Sequence, residues 1–118
     1  MRIEIENRLI NLSVSIINLC RNLNQEFVSE HLSAQIIRSS TSSALNYGEA
    51  QGAESRKDFA HKVSIVLKEL RETQISLKII KQAQLNKKAK FNDDLIKECG
   101  ELIAIFHKTI ITTRTKKP

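Results

Sequence analysis

Apolar residues recur along this chain at alternating steps of four and three, the spacing of amphipathic helices. Leu9, Ser13, Ile16, Cys20, Leu23 and Phe27 share one face, Ser13 being its single polar member. Ile10, Val14 and Ile17 widen that stripe enough to touch two neighbours. A second helix follows, for which Ser29 or Ser33 offers a capping oxygen and which Gly48 and Gly52 weaken and end. Ser55 and Asp58 form the start signal of a third, carrying Phe59, Val63, Val66, Leu70, Thr73, Leu77 and Ile80 on one face. The charged run NKKAKFND at 86–93 reads as a loop in which Asn92 or Asp93 caps a fourth helix with the stripe Leu95, Cys99, Leu102, Phe106 and Ile110. The expected helices cover about 3–24, 32–50, 55–84 and 92–111, with a frayed basic tail over 112–118. Four such segments on short connections predict an all-α, single-domain, up-down-up-down four-helix bundle.

The stretch RSSTSSALNYGEAQ, from Arg38, has the composition of a linker. On a helix, however, Arg38, Ser42, Asn46 and Glu49 step by four, four and three and so point one way. Ser39, Ser40 and Ala44 keep that helix thin, which lets a neighbour approach closely. Any polar stripe buried by the approach must find partners. The third helix offers them in KELRET at 68–73: Arg38 is expected to pair with Glu69 or Glu72, and Lys68 with Glu49.

These residues also carry a family resemblance. The pattern Leu32, Gln35, Ile36, Arg38, Ser39, Ser42, Asn46, Glu49 and Ala50, then ESRKDF at 54–59, HKVSI at 61–65 and KELRET at 68–73, resembles the bacterial four-helix-bundle proteins encoded in intervening sequences of large-subunit (23S) ribosomal RNA genes. The likeness spans about residues 27–85. It implies a left-handed bundle that assembles as a homopentamer, has no established enzymatic activity, and is called a ribosomal protein on the strength of gene position. Similar basic pentameric bundles serve reverse transcriptases as nucleic-acid-binding accessories. The motif positions that carry over are Arg38, Ser42, Asn46, Glu49, Phe59, Lys68, Glu69, Arg71, Glu72 and Thr73. Ile75 and Ser76 stand where related chains have an aromatic pair.

Composition agrees with helix, since 118 residues include one proline, three glycines and 4% aromatics. The net charge of +6 is uneven: residues 1–31 sum to −1, 32–53 to 0, 54–85 to +3 and 86–118 to +4. That excess makes a polyanion a candidate partner. Candidate phosphate contacts are Arg56, Lys57, Lys62, Lys78, Lys81, Lys87, Lys88, Lys90, Lys108, Arg114, Lys116 and Lys117. Few aromatic side chains favour backbone contact with RNA or DNA over base stacking.

Other chemistry is poorly supplied. His31, His61 and His107 fall in separate elements without ligand-spaced partners, and Cys20 and Cys99 sit at apolar positions, so neither metal nor cofactor is expected. No phosphate-binding glycine loop or nucleophile elbow is present. Charges at Arg2, Glu4, Glu6 and Arg8 fall where a signal peptide is apolar, and a cytoplasmic location is expected. Ile65, Ile75 and Ile79 on the third helix, with Ile96 and Ile103 on the fourth, form an extra apolar stripe assigned to contacts between subunits. The leading reading is a non-enzymatic homo-oligomer that binds nucleic acid without sequence preference. The alternative is a protein-interaction scaffold, or an accessory subunit of a reverse transcriptase or ribosomal-RNA-associated complex. An active site built on Arg38, Asn46, Glu49 and Glu69 would require an open pocket beside Glu49.

Overall fold

The four amphipathic stretches become four α-helices in a computed structural model that describes residues 2–86 and 90–115. They are α1 (Arg2–Arg21), α2 (Phe27–Gln51), α3 (Arg56–Gln82) and α4 (Asp94–Thr115). The chain is a four-helix, all-α fold in which α1 packs on α2, α2 on α3, α3 on α4, and α4 less extensively on α1. Consecutive helices run antiparallel, because residue numbers that rise along one fall along the next. Ser13 meets Ser40 and Cys20 meets Ser33; Glu49 meets Lys62 and Ser39 meets Thr73; Gln74 meets Ile96 and Lys81 meets Asp93. Helices of this length at 1.5 Å per residue make a rod, 52 × 21 × 20 Å.

Local chemistry sets most helix ends. The Ser55 side chain accepts from the Asp58 amide at 3.0 Å, and Asn92 Oδ1 accepts from the Asp94 amide at 3.0 Å, so both expected caps form. The start of α2 differs from expectation. It begins at Phe27, behind Glu26 with no side-chain cap, because Phe27 to Glu30 continue the helix instead of leading into it. Ser29, expected as a cap, therefore lies inside the first turn; it is buried and its Oγ has no partner among the described residues. At the other end of the chain, α4 runs to Thr115 rather than fraying after Ile111. Its threonines stay in register by donating to carbonyls one turn back, Thr113 to Thr109 O and Thr115 to Ile111 O, both at 2.8 Å.

Helix α3 stops at Gln82 and closes with a Schellman motif: the Leu85 amide reaches Ile80 O at 3.3 Å and the Gln84 amide reaches Lys81 O at 3.1 Å. The motif needs a left-handed residue, and Gln84 supplies it at φ 55°. Leu85 is thereby turned into the core, and its carbonyl accepts the Asn24 amide at 2.7 Å, tying the connection after α1 to the one after α3.

The core is aliphatic, with Leu9, Ile16, Ile36, Val63, Leu70, Leu77, Ile80 and Leu102 fully buried. Tyr47 and Phe106 meet edge to face at 5.5 Å. Against these large side chains α2 presents Ser39, Ser40 and Ser43, all essentially without solvent exposure. Ser13 Oγ donates to its own helix at Leu9 O, 3.0 Å, and lies 3.1 Å from Ser40 O, a side-chain-to-backbone approach that leaves no room for a larger residue. Ser40→Leu is therefore expected to lower unfolding free energy by about 2 kcal/mol through overpacking, and Ser40→Ala by under about 1 kcal/mol. Urea denaturation in which the two variants lose the same amount would contradict this close approach.

Candidate functional site

The α2 polar stripe does face α3. Arg38 Nη1 donates to Glu69 Oε2 at 2.8 Å, and Nη2 donates to Glu72 Oε1 at 2.7 Å. The Glu69 side chain is only 6% exposed, whereas that of Arg38 is 56% exposed, so the guanidinium covers a carboxylate sunk between the helices. Ser42 also bonds the Glu69 carboxylate, and Asn46 Nδ2 donates to Ser42 Oγ at 3.1 Å and to Ser42 O at 2.9 Å. One turn along, Ser39 and Thr73 hydroxyls lie 2.7 Å apart. Each hydroxyl also lies near a carbonyl of its own helix, Thr73 at 2.8 Å from Glu69 O and Ser39 at 3.3 Å from Ile36 O.

One expected pair is corrected. Glu49 is held by Lys62 at 2.6 Å rather than by Lys68. The register that sets Ser39 against Thr73 carries Glu49 opposite Val63, beside Lys62 and more than a turn from Lys68. Lys68 stays exposed and acts on Glu69 only through its charge. Arg71 lies exposed and lines a shallow groove of about 460 Å³ over the seam, with Gln35, Glu72, Ile75, Ser76 and Ile79. Of the four groups considered for an active site, Glu69 is closed off and paired, and Glu49 is open but tied to Lys62.

The candidate phosphate contacts do not form one face. Arg56, Lys57 and Arg114 come together with His61, Ser64 and Thr113 in a cleft of about 540 Å³ between the start of α3 and the end of α4. Lys78 and Lys81 lie at the far end of the same α3–α4 groove, joined by Lys97, which spacing alone did not single out. Lys81 bonds Asp93 there at 2.6 Å. Lys62 is drawn to the α2 side by Glu49, Lys90 lies against α1 near Asn18 and Asn22, and Lys108 is exposed on α4. Lys87, Lys88, Lys116 and Lys117 fall outside the described residues.

The apolar stripe also divides. Ile75 and Ile79 are 54% and 45% exposed, and Ile65 is half-buried. Ile96 and Ile103 pack against the bundle's own core and have much less surface to offer another subunit. A contact missed in the sequence joins α1 to α4: Arg8 donates to Glu98 at 2.9 and 2.6 Å and to Glu101 at 3.2 Å. Its only sequence signal is that Glu98 and Glu101 are one helical turn apart. Among the described residues no group of histidine, cysteine and carboxylate side chains could hold a metal. Both cysteines are free thiols. Burial, with the charge of Glu98 adding to it, pushes Cys99 up to about 12; burial also raises Cys20, against a bond to Ser33. No described helix is long and apolar enough to cross a membrane.

The family model for the 23S rRNA-intervening sequence protein matches residues 1–108. The chain belongs to that family. A crystal structure of a protein of unknown function from the S23 ribosomal protein family, from Bacteroides thetaiotaomicron VPI-5482, is similar at a TM-score of 0.78 and 30% identity, over 90% of this chain and 97% of the other. No curated protein matches. Family membership covers the flanking helices α1 and most of α4 as well as the motif-bearing centre.

Burial alone would raise the Glu69 carboxyl, but the bonds from Ser42 and Arg38 and the charges of Arg38 and Lys68 together hold it below its ordinary 4.5. A depressed folded value means the stabilisation is complete above that ordinary value and is lost as pH falls through the folded one. The stability difference between the native chain and Glu69→Gln, followed by urea denaturation, is expected to be flat above about pH 5 and to shrink on further acidification. A difference that stays constant down to about pH 2 would refute the assignment.

Proposed function

We propose that this protein is a non-enzymatic, self-associating bundle that binds RNA or DNA through phosphate contacts along the α3–α4 groove. The carrying observation is the placement of two basic clusters at opposite ends of one groove: Arg56, Lys57 and Arg114 at one, Lys78, Lys81 and Lys97 at the other. Lys57 and Lys78 are 21 positions apart on α3, which is about 32 Å at helical rise. A rigid helix thus holds its cations at fixed intervals for an extended polyanion. Recognition by backbone is favoured because Tyr47 and Phe106 are consumed by the core, and Phe59 and Phe91 pack against it. The exposed Phe27 stacks on His31 at the far end of α2 instead of joining the groove. The family's description, which ties its members to an intervening sequence of 23S rRNA, is consistent with an RNA partner.

Fluorescence anisotropy with a mixed-sequence oligonucleotide is expected to give binding at about 50 mM salt that weakens steeply as salt rises. Lys57→Ala and Lys78→Ala should each lower the slope of log affinity against log salt by about one. Absence of binding at that low salt would refute the proposal.

Self-association is favoured by the exposed ridge of Ile75 and Ile79, which two copies would remove from water. Five copies, the number the family resemblance implies, would bring the charge to about +30. The same ridge supports a second reading, a scaffold that docks a partner protein such as a polymerase subunit. Ile79→Glu is expected to dissociate the oligomer while leaving helicity unchanged, as judged by light scattering and circular dichroism. An assembly that persists in this variant would remove Ile79 from the interface.

A further inference from the structure

We propose that the exposed ridge of α3 packs on an exposed ridge of α1 in a second copy of this chain, parallel and head to tail, with Ile75 and Ile79 against Ile10 and Val14. The inference rests on the self-association reading above and names the surface that the α3 ridge meets. Ile10 and Val14 are 44% and 50% exposed, and Ile3 continues their line toward the start of α1. None of the three packs into the bundle's own core. Arg8 is the α1 side chain that reaches α4, and Ile10 stands two positions on, about 200° round the helix. Ser13, which meets α2, lies only about 60° from Ile10. The α1 ridge is therefore on the α2 side of its helix. The α3 ridge also borders α2, in the groove lined by Gln35 and Arg38.

The two ridges repeat one spacing with opposite charge. On α1, Glu6, Ile10 and Val14 stand four positions apart, and on α3 Arg71, Ile75 and Ile79 do the same. Rows of that spacing form the ridges by which helices pack. Laid side by side in the same direction, they set Ile10 against Ile75, Val14 against Ile79, and the Glu6 carboxylate against the Arg71 guanidinium. The same offset brings Ile3 to Lys68, whose aliphatic stem can cover it. Reversing one helix keeps the apolar pairs but moves Glu6 from Arg71 to Ala83, so charge selects the parallel arrangement. Two α3 ridges face to face would bury Ile75 and Ile79 yet leave Ile10 and Val14 in water; α1 on α3 removes both pairs.

Within one copy α1 and α3 run the same way, since consecutive helices alternate in direction. Parallel packing of α1 on the next copy's α3 therefore keeps the rods side by side. Each copy offers a different ridge to each neighbour, which makes the contact heterologous. Because the two ridges flank α2 on adjoining sides of the bundle, successive copies turn, with α2 on the inside of the curve. The α3–α4 groove stays on the outside, open to a polyanion.

Size-exclusion chromatography with light scattering on the full chain tests the pairing. Val14→Glu and Ile79→Glu each remove one ridge and leave the other, so each is expected to run as a monomer. Helicity by circular dichroism should be unchanged, because both side chains are exposed. Mixed in equal amounts, the two variants are expected to form a dimer, the intact α3 ridge of the first seated on the intact α1 ridge of the second. Glu6→Arg and Arg71→Glu should each weaken self-association about ten-fold, and the double variant should regain it. A Val14→Glu chain that assembles like the native one overturns the proposal while leaving the α3 ridge as an interface of another kind. Monomeric variants that stay monomeric on mixing overturn it as well, because ridges that pair like with like cannot complement each other. A native chain that is itself monomeric removes self-association, and this pairing with it.

Discussion

The distance at which α2 can approach its neighbours governs most of this bundle. Ser39, Ser40 and Ser43 occupy positions that leucine or isoleucine hold on the other helices. A helix so thin at its middle can be filled in only by moving α1 and α3 toward it, and the Ser13 contact to the Ser40 carbonyl marks how far α1 has come. On the other flank Ser39 meets Thr73, and this contact sets the register between α2 and α3. With that register in place, Arg38 falls over Glu69 and Glu72, Ser42 over Glu69, and Glu49 beside Lys62.

A carboxylate as buried as Glu69 is costly to desolvate, and a paired buried charge seldom adds net stability over a well-packed apolar residue. Its effect here is selective. A slip of α2 against α3 by one turn would take from Glu69 either Arg38 or Ser42, which lie one turn apart on α2, and leave its carboxylate short of a partner between helices, whereas a purely aliphatic seam would tolerate the slip better. The polar seam therefore penalises the wrong register more than it strengthens the right one.

The helices themselves were legible because period and caps agreed: Ser55 and Asn92 start their helices where their side chains can accept amide protons. The pairing of Arg38 with Glu69 and Glu72 was legible for the same reason, since spacing put Arg38 on the seam and KELRET opposite it. Which lysine meets Glu49 was not, because that depends on how far α2 slides along α3, a quantity set by packing and invisible in one-dimensional periodicity. The twelve candidate phosphate contacts had the same difficulty. Composition counts cations, but only the pairing of α3 with α4 separates those lining the shared groove from Lys62, turned away, and brings in Lys97. Ile96 and Ile103 share the stripe's spacing, but packing leaves them partly buried against the core, unlike Ile75 and Ile79.

The bond from the Asn24 amide to the Leu85 carbonyl joins two inter-helix connections at one end of the rod. That end is stapled by backbone, with the left-handed turn at Gln84 holding the staple in place. The basic cleft lies at the other end, where the last turns of α4 rest on Phe106 and Ile110 by apolar contact. A side-chain change at Phe106 or Ile110 acts directly on that second end, whereas the bond at the first is made by main-chain atoms that any residue supplies.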